Sequence, residues 1–334
     1  MKKIRVAING FGRIGRVLFR VLHSREDFEI IAINDLADAK TLAHLLKYDS
    51  IHRIFDAEVH SDDNSIIIDG KPVVVYNHKE LKDIDWSIHN IDFVVEATGL
   101  FKTELLAGQH IKNGAEKVII SAPPTDENIK TIVLGINEHI LNSEDKIVSN
   151  ASCTTNNAAP MVKIIDDLYG IETAYITTVH SYTTDQKLHD VAHKDLRRAR
   201  AGAQSIVPTT TGAAKAITKI FPHLETHIGG CGIRVPVPDG SLTDITFNVK
   251  SKANIDEINT AFKEASENSL LGILKYITDP IVSTDIIGNP YSCTFDSLLT
   301  SVIDDRFVKV VGWYDNEMGY SNRLADLMVY INKL

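Results

Sequence analysis

The stretch SNASCTTNNAAP, Ser149 to Pro160, surrounds Cys153 with hydroxyl and amide side chains and almost no apolar bulk. A structural cysteine behaves as a small hydrophobe and is normally buried, so this setting points to a use for the sulfur itself. A free thiol has a pKa near about 8.5 and is mostly protonated at neutral pH. A nucleophilic cysteine therefore needs a cation, a base or a helix N-terminus beside it. After Cys153 come small residues and then Val162, Ile165 and Leu168 at helical spacing. Pro160 leaves two readings: a helix whose first turn holds the proline, or one that begins near Cys153 and bends. Both keep the sulfur at the positive end of a helix. Among 13 histidines, His180 is the candidate base, because it ends a strand-like run in TTVHSYT beside hydroxyl residues. His44 lies within a helical pattern and His23 near a helix end.

A second chemical signature is Gly10-Phe11-Gly12-Arg13-Ile14-Gly15, a GxGxxG loop. It follows the strand-like IRVAI and opens a helical pattern, and Asp35 ends the next strand-like run. That context is the dinucleotide-binding fingerprint. Gly10 makes the tight turn, Gly12 lets a pyrophosphate approach the backbone, and Gly15 lets the helix pack on the strand. The helix N-terminus offers N–H groups to the anion, while Asp35 can accept from ribose hydroxyls and repel a 2′-phosphate. NAD is the expected cofactor, NADP a weaker alternative, and FAD weaker still.

Anion sites have their own candidates. PTTTGAAKA, Pro208 to Ala216, places three threonines and Gly212 at the mouth of a helix, and Arg198 and Arg234 offer charge-assisted contacts. A cofactor loop, an activated cysteine and several anion sites together point to oxidation of a phosphorylated aldehyde.

The elements that must position these groups are of two kinds. In the first half, apolar runs such as IRVAI, EIIAIND, IDFVVEATG, KVIISA, TIVLG and KIVSNAS alternate with helical patterns. This predicts a mostly parallel sheet covered on both faces. A strand-like stretch interrupted by Gly70 predicts a hairpin insertion. In the second half IETAYITTVHS, SLTDITFNVK and RFVKVVGWYD alternate residue by residue, as in a mixed or antiparallel sheet with one face under helices. The basic loop HKDLRRARAGAQ lies between the first two, and the closing SNRLADLMVYINKL predicts an amphipathic helix with Ser321 as N-cap. The fold class is therefore α/β, a parallel-sheet dinucleotide-binding domain joined to an α+β domain with a mixed or antiparallel sheet.

Bulk properties restrict the partners. At 334 residues and a formal charge of −9, the chain has room for two domains and no global basic field for nucleic acid or an anionic membrane. Three widely spaced cysteines without a CxxC pair argue against disulfides and structural zinc, so no metal is expected and a reducing cytoplasm is. The N-terminus lacks a signal-peptide h-region, and no apolar run reaches the roughly 20 residues needed to span a bilayer.

INGFGRIGR, SNASCTTN, HSYT, HKDLRRARA, PTTTGAAKA, RVPVP and WYDNEMGYS, in this order, resemble the phosphorylating glyceraldehyde-3-phosphate dehydrogenase family. The resemblance implies a homotetramer with an NAD-binding Rossmann domain over residues 1–151, completed by the C-terminal helix 317–334, and a catalytic domain over 152–316. It implies Cys153 as nucleophile and His180 as its partner, passing through a thiohemiacetal and a thioester that inorganic phosphate cleaves to 1,3-bisphosphoglycerate. Thr183 and Arg234 would hold the substrate phosphate. Ser152, Thr154, Thr211 and Gly212 would bind the attacking phosphate, with Arg198 nearby. Arg13, Ile14, Asp35, Lys79 and Ser121 would line the dinucleotide, and Asn316 would hold the nicotinamide amide.

Three features depart from the family pattern. Asn157 replaces a common second cysteine, Met318 a common tryptophan, and Val191-Ala192 a Leu-Pro pair of strictly NAD-using members. Charge at Asp35 should outweigh the room left by Ala192, giving NAD preference with some NADP use. Without a cysteine at 157, oxidation should drive Cys153 to sulfenic and higher acids. Erythrose-4-phosphate dehydrogenase shares the fold and cysteine, but the threonine-rich phosphate site and HSYT favour the phosphorylating enzyme. A catalytically silent NAD-binding regulatory protein would not need Cys153, His180 and both arginines intact.

Overall fold

A computed structural model describes residues 2–334 and divides them into two compact units. The described residues up to Ile132, with Glu138–Ala151 and Ser321–Leu334, form the first; Val133–Asn137 and Ser152–Tyr320 form the second.

In the first unit β1 (Ile4–Asn9), α1 (Arg13–His23), β2 (Phe28–Asn34) and α2 (Ala39–Lys47) open an alternating series. A short pair, β3 (Tyr48–Asp49) and β4 (Arg53–Ile54), leads into β5 (Val59–Ser61), β6 (Ser65–Ile68) and β7 (Lys71–Tyr76). β8 (Phe93–Glu96), α3 (Glu104–Lys112), β9 (Lys117–Ile120), β10 (Lys130–Thr131) and β11 (Ile147–Ser149) complete it. The sheet order is β10-β11-β9-β8-β1-β2-β7-β6-β5. Pairing is parallel from β10 to β7 and antiparallel through β6 and β5.

The order reverses at β1, whose neighbours are β2 and β8. Loops at the carboxyl ends of such strands diverge and leave a crevice. The central strands are apolar because both faces are covered; Val6, Ala7, Ile8, Val94 and Val95 are fully buried. The hairpin at Gly70 is present, with Asp69 and Gly70 at φ 48° and 78°, a two-residue turn suited to strand twist. Beyond the sequence reading, β7 then returns to pair in parallel with β2, from Ala32↔Val74 to Asn34↔Tyr76. Of TIVLG only Thr131 joins a strand, because Asn137 Oδ1 accepts the Val133 N–H at 2.8 Å and turns the chain.

The second unit contains α4 (Cys153–Tyr169), β12 (Ile171–Ser181), β13 (Val207–Thr209), α5 (Ala213–Ile220), β14 (Ile228–Val235) and β15 (Ser241–Val249). It continues through α6 (Ile255–Glu267), β16 (Leu274–Ile277), β17 (Cys293–Asp296), β18 (Ser301–Ile303) and β19 (Phe307–Tyr314) to the start of α7 (Met318–Ile331). The sheet runs β13-β14-β12-β15-β19-β17-β16, with β18 beside β19. It is mixed: β12 pairs in parallel with β14 and antiparallel with β15. Ile245, Phe247 and Val249 are buried while Asp244, Thr246 and Asn248 face outward, as their alternation predicts. Ser321 is not the N-cap of the last helix. α7 begins three residues earlier, because Asp315 Oδ1 accepts the N–H groups of Glu317 at 2.8 Å and Met318 at 2.7 Å. Among the described residues, no helix is long and apolar enough to cross a membrane.

Candidate active site

The glycine loop of the first unit divides its labour. Gly10 has φ +93°, and a Cβ there would lie 2.7 Å from the Thr98 nitrogen. A Cβ on Gly15 would lie 2.2 Å from the Gly10 carbonyl oxygen. A Cβ on Gly12 would meet nothing within 4 Å. Two glycines thus permit close packing, and the middle one leaves bare backbone for a ligand. Gly12 also caps α1 without any side-chain hydrogen bond, whereas Asp38, Thr103 and Asn254 cap α2, α3 and α6. The α1 N-terminus is therefore open to an anion rather than closed by its own side chain.

Asp35, directly after β2, accepts the Phe11 N–H at 2.7 Å and the Ala37 N–H at 3.1 Å, and its remaining lone pairs suit ribose hydroxyls. Ile14 is half-buried in the first turn of α1, and Ser121 follows β9, donating its N–H to the Glu96 carbonyl at 2.9 Å. Arg13 forms a two-point pair with Asp49 at 2.5 and 3.1 Å. Burial opposes ionisation of Asp49, but Arg13 and the N–H groups of His52 and Ile51 hold its carboxyl at about 2. Lys79 is exposed beyond β7, while the neighbouring Asn77 donates to the carbonyls of Asp35 and Ala37 at 3.1 and 2.5 Å. The open Gly12 backbone, uncapped α1 and strand-end Asp35 fit a dinucleotide.

Cys153 is the first residue of α4, so the helix begins at the sulfur and carries Pro160 inside it. Ser152 is the N-cap, its Oγ accepting the Thr155 N–H at 3.1 Å. Ala151, just before it, has φ +55°, a left-handed conformation that is strained for a residue with a Cβ. Cys153 Sγ lies 3.4 Å from His180 Nε2. In the parallel register of β12 and β14, His180 stands opposite Arg234. Arg234 Nη1 is 2.6 Å from His180 Nδ1 and donates to the Ser181 carbonyl at 2.9 Å. That carbonyl is also 2.8 Å from Nδ1.

Burial, reinforced by the Arg234 charge, lowers the His180 imidazole to about 3. Burial pushes the Cys153 thiol up, opposed by Arg234 and by Thr154, whose N–H and hydroxyl serve the sulfur. Both shifts favour a neutral thiol–imidazole pair over a thiolate–imidazolium pair. Buried Tyr314 stands edge-on to His180 at 5.9 Å, and its hydroxyl lies 3.0 Å from the hydroxyls of both Thr154 and Thr178.

The remaining anion-site candidates lie in the same unit. Gly212 caps α5 with no side-chain bond, and a Cβ there would meet nothing within 4 Å. Thr211 Oγ1 accepts the Ala213 N–H at 3.2 Å. Arg198 donates to Thr209 Oγ1 at 2.9 Å and Asp185 at 2.7 Å, so its guanidinium is anchored beside the threonine run. Thr183 is half-buried just past β12. Asn316 Oδ1 accepts the hydroxyls of Ser181 at 2.9 Å and Ser241 at 2.7 Å, which leaves Nδ2 as the end suited to a carboxamide oxygen. Asn157 is fully buried and donates to the carbonyls of Ser292 and Trp313 at 3.3 and 3.2 Å. Val191 and Ala192 are exposed.

Sequence reasoning missed a buried polar group in the first unit. Glu96 ends an otherwise apolar strand and is hydrogen-bonded to Asn9, Thr98 and His110. The signal was a lone carboxylate in FVVE, a residue type almost never fully buried without partners. Tyr314 was also missed, because nothing in RFVKVVGWYD distinguishes it from a packing aromatic.

Comparison with known proteins points to a single family. Residues 4–104 match the family described as glyceraldehyde 3-phosphate dehydrogenase, NAD binding domain, and residues 152–316 match its C-terminal domain. Glyceraldehyde-3-phosphate dehydrogenase 2 of Streptomyces avermitilis is 52% identical over 330 residues, covering 98% of each chain. Glyceraldehyde-3-phosphate dehydrogenase of Thermotoga maritima is 50% identical over 332 residues, 99% of each chain. The Geobacillus stearothermophilus protein of the same name is 48% identical over 336 residues, 98% of each.

Proposed function

The chain belongs to the glyceraldehyde-3-phosphate dehydrogenase family, and we propose that Cys153 and His180 carry its phosphate-dependent oxidation of glyceraldehyde 3-phosphate. It is an NAD-dependent oxidoreductase. NAD, when bound, supplies the hydride acceptor. We assign residues 1–151 with the closing helix 317–334 to cofactor binding, and 152–316 to the chemistry.

The observation that carries the assignment is the sulfur at the first position of α4, 3.4 Å from His180 Nε2, with Arg234 2.6 Å from the other ring nitrogen. Arg234 can only donate, so in this arrangement His180 Nδ1 accepts and Nε2 carries the hydrogen. When Arg234 and Thr183 take up the substrate phosphate, Nδ1 is free to donate to the Ser181 carbonyl. The lone pair then sits on Nε2, facing the sulfur. Attack of Sγ on the aldehyde carbon moves the thiol proton through His180 to the new hydroxyl, giving a thiohemiacetal. His180 next removes the hydroxyl proton as the carbon is oxidised to the thioester. The Cys153 N–H, at the helix N-terminus, stabilises the developing oxyanion, a role typically worth a few kcal/mol.

Inorganic phosphate then attacks the thioester, 1,3-bisphosphoglycerate leaves, and His180 returns its proton to the sulfur. Ser152, Thr154, Thr211, Gly212 and Arg198 would hold that phosphate, the start of α5 offering it N–H groups beyond the one that Thr211 takes. Arg13, Ile14, Asp35, Ser121 and Lys79 would line the dinucleotide, and Asn316 would hold its carboxamide. We also propose a cytoplasmic homotetramer. Three free cysteines suit a reducing compartment. The large apolar side chains of Tyr175, Ile303 and Phe307 stand exposed on strands of the catalytic sheet, where a second copy would cover them.

Initial rates with glyceraldehyde 3-phosphate, with and without phosphate and with NAD then NADP, test this reading. NADH formation should require phosphate, and kcat/KM should favour NAD with residual NADP use. Turnover that ignores phosphate would overturn the phosphorylating reaction, and a ratio favouring NADP would overturn the role of Asp35.

A further inference from the structure

Glu96 in the first unit has the burial of a core residue and the bonding of a hub. Its side chain and that of His110 are both 0% exposed. One carboxylate oxygen accepts Asn9 Nδ2 at 2.5 Å and lies 3.2 Å from His110 Nε2. The other accepts the Thr98 N–H at 2.9 Å and the Thr98 hydroxyl. Behind His110, Trp86 Nε1 donates to His110 Nδ1 at 3.1 Å. An indole N–H can only donate, so Nδ1 must accept and the ring hydrogen sits on Nε2, aimed at Glu96. On the far side, Asn34 Nδ2 donates to Asn9 Oδ1 at 2.7 Å, and Asn34 Oδ1 accepts the His78 N–H at 2.9 Å. Every donor in this chain meets an acceptor.

The placement of its members matters as much as their bonding. Asn9, Asn34 and Glu96 are the last residues of β1, β2 and β8. They directly precede the Gly10 turn, Asp35 and the Thr98 loop. The backbone repeats the linkage: the Gly10 N–H reaches the Asn34 carbonyl at 2.8 Å, and the Ala97 N–H reaches the Asn9 carbonyl at 2.7 Å. Because a Gly10 Cβ would lie 2.7 Å from the Thr98 nitrogen, the glycine turn rests against the Thr98 backbone, and a shift of one moves the other.

We propose that Glu96, held by His110 and Trp86, is a positioning residue for NAD, a buried hub that sets the relative heights of the three strand-end loops receiving the dinucleotide. A burial this deep is costly for a carboxylate unless all of its lone pairs are used, and here their use ties together the loops a ligand must find in register. The proposal rests on the assignment of NAD to this unit.

Glu96→Gln is nearly isosteric yet cannot satisfy the same partners. The Asn9 and His110 side presents two donors, and the Thr98 side an N–H and a hydroxyl. The amide NH2 can face only the hydroxyl without conflict, and the Thr98 N–H then loses its acceptor. The loss of one buried acceptor predicts NAD binding weaker by about tenfold in calorimetric titration. Turnover at saturating NAD should fall less than about threefold, and amide exchange at Thr98 and Phe11 should accelerate. Trp86→Phe, which removes only the N–H fixing the His110 ring, should weaken NAD binding about two- to threefold. A folded Glu96→Gln protein with reduced melting temperature but unchanged NAD affinity would overturn the proposal. So would unchanged affinity in Trp86→Phe, should Glu96→Gln fail to fold. A wild-type protein that does not bind NAD would overturn the cofactor assignment along with it.

Discussion

The dinucleotide loops and the cysteine pocket treat buried polar groups in opposite ways. Around Glu96 each donor has an acceptor, and the loops are tied to one another by both side chains and backbone. Around Cys153 burial sets the groups against ionisation: it raises the thiol, lowers the imidazole to about 3 and lowers the Arg234 guanidinium. A binding cradle gains from being finished before its ligand arrives, since preorganisation lowers the ordering cost of binding. A reaction pocket gains from groups whose protonation responds to the substrate. Helix ends show the same division. Side chains of the N-cap residues close α2, α3, α4 and α6, while glycines occupy the N-caps of α1 and α5, two helices whose N-termini are assigned to phosphates.

The sharpest break of this contrast is Cys153→Ser. Turnover should fall by at least about a thousandfold while NAD affinity stays the same, because a serine lacks the thiol's nucleophilicity and the cradle is untouched. Retained turnover would remove the thioester from the mechanism.

Arg234→Gln follows in size. The substrate kcat/KM should fall by about a hundredfold, as expected for deleting a charge-assisted phosphate contact. The His180 ring, followed by NMR, should titrate above about 3 yet below its ordinary range, because burial remains when the cation is gone. The linkage has a definite sign. The native imidazole binds its proton more weakly than the unfolded one, so its stabilising contribution is complete above the unfolded value of about 6.5. It is lost as pH falls toward about 3, by up to 1.4 kcal/mol per pH unit. Arg234→Gln should shorten that window from its acid end. A His180 titration unmoved by the substitution would show that the guanidinium does not act on the ring.

The smallest effects come from the glycine loop, where two alanines should separate packing from binding. Gly15→Ala should cost about 3 kcal/mol in chemical denaturation, since its Cβ would strike the Gly10 carbonyl. Gly12→Ala should cost less than about 1 kcal/mol, because its Cβ would enter open space and alanine is merely a poorer cap. It should nevertheless weaken NAD binding about tenfold by occupying the approach of the pyrophosphate. Equal losses of stability in the two variants would mean that Gly12, too, is a packing residue.

Much of the site was legible before any coordinates. GxGxxG after an apolar strand, Asp35 at the next strand end, and a cysteine among small polar residues are local patterns whose chemistry depends on near neighbours. The alternation in SLTDITFNVK located one-sided burial correctly for the same reason. The start of the last helix was misplaced, because Asp315 reaches past two residues to cap it and a serine further on carried the familiar signature.

The sequence by itself determined the reactive types: a thiol near the positive end of a helix, a dinucleotide loop, a threonine-glycine helix mouth and apolar central strands, all set by the spacing of adjacent residues. Only the tertiary structure decided the partnerships. His180 was a candidate base on position alone until β12 brought it to Cys153, 27 residues earlier in the chain. Arg234 became its neighbour through the parallel register with β14. Glu96 acquired Asn9 and His110 from elements 87 and 14 residues away. Strand order and register make such contacts, and neither leaves a mark in the spacing of residues along the chain.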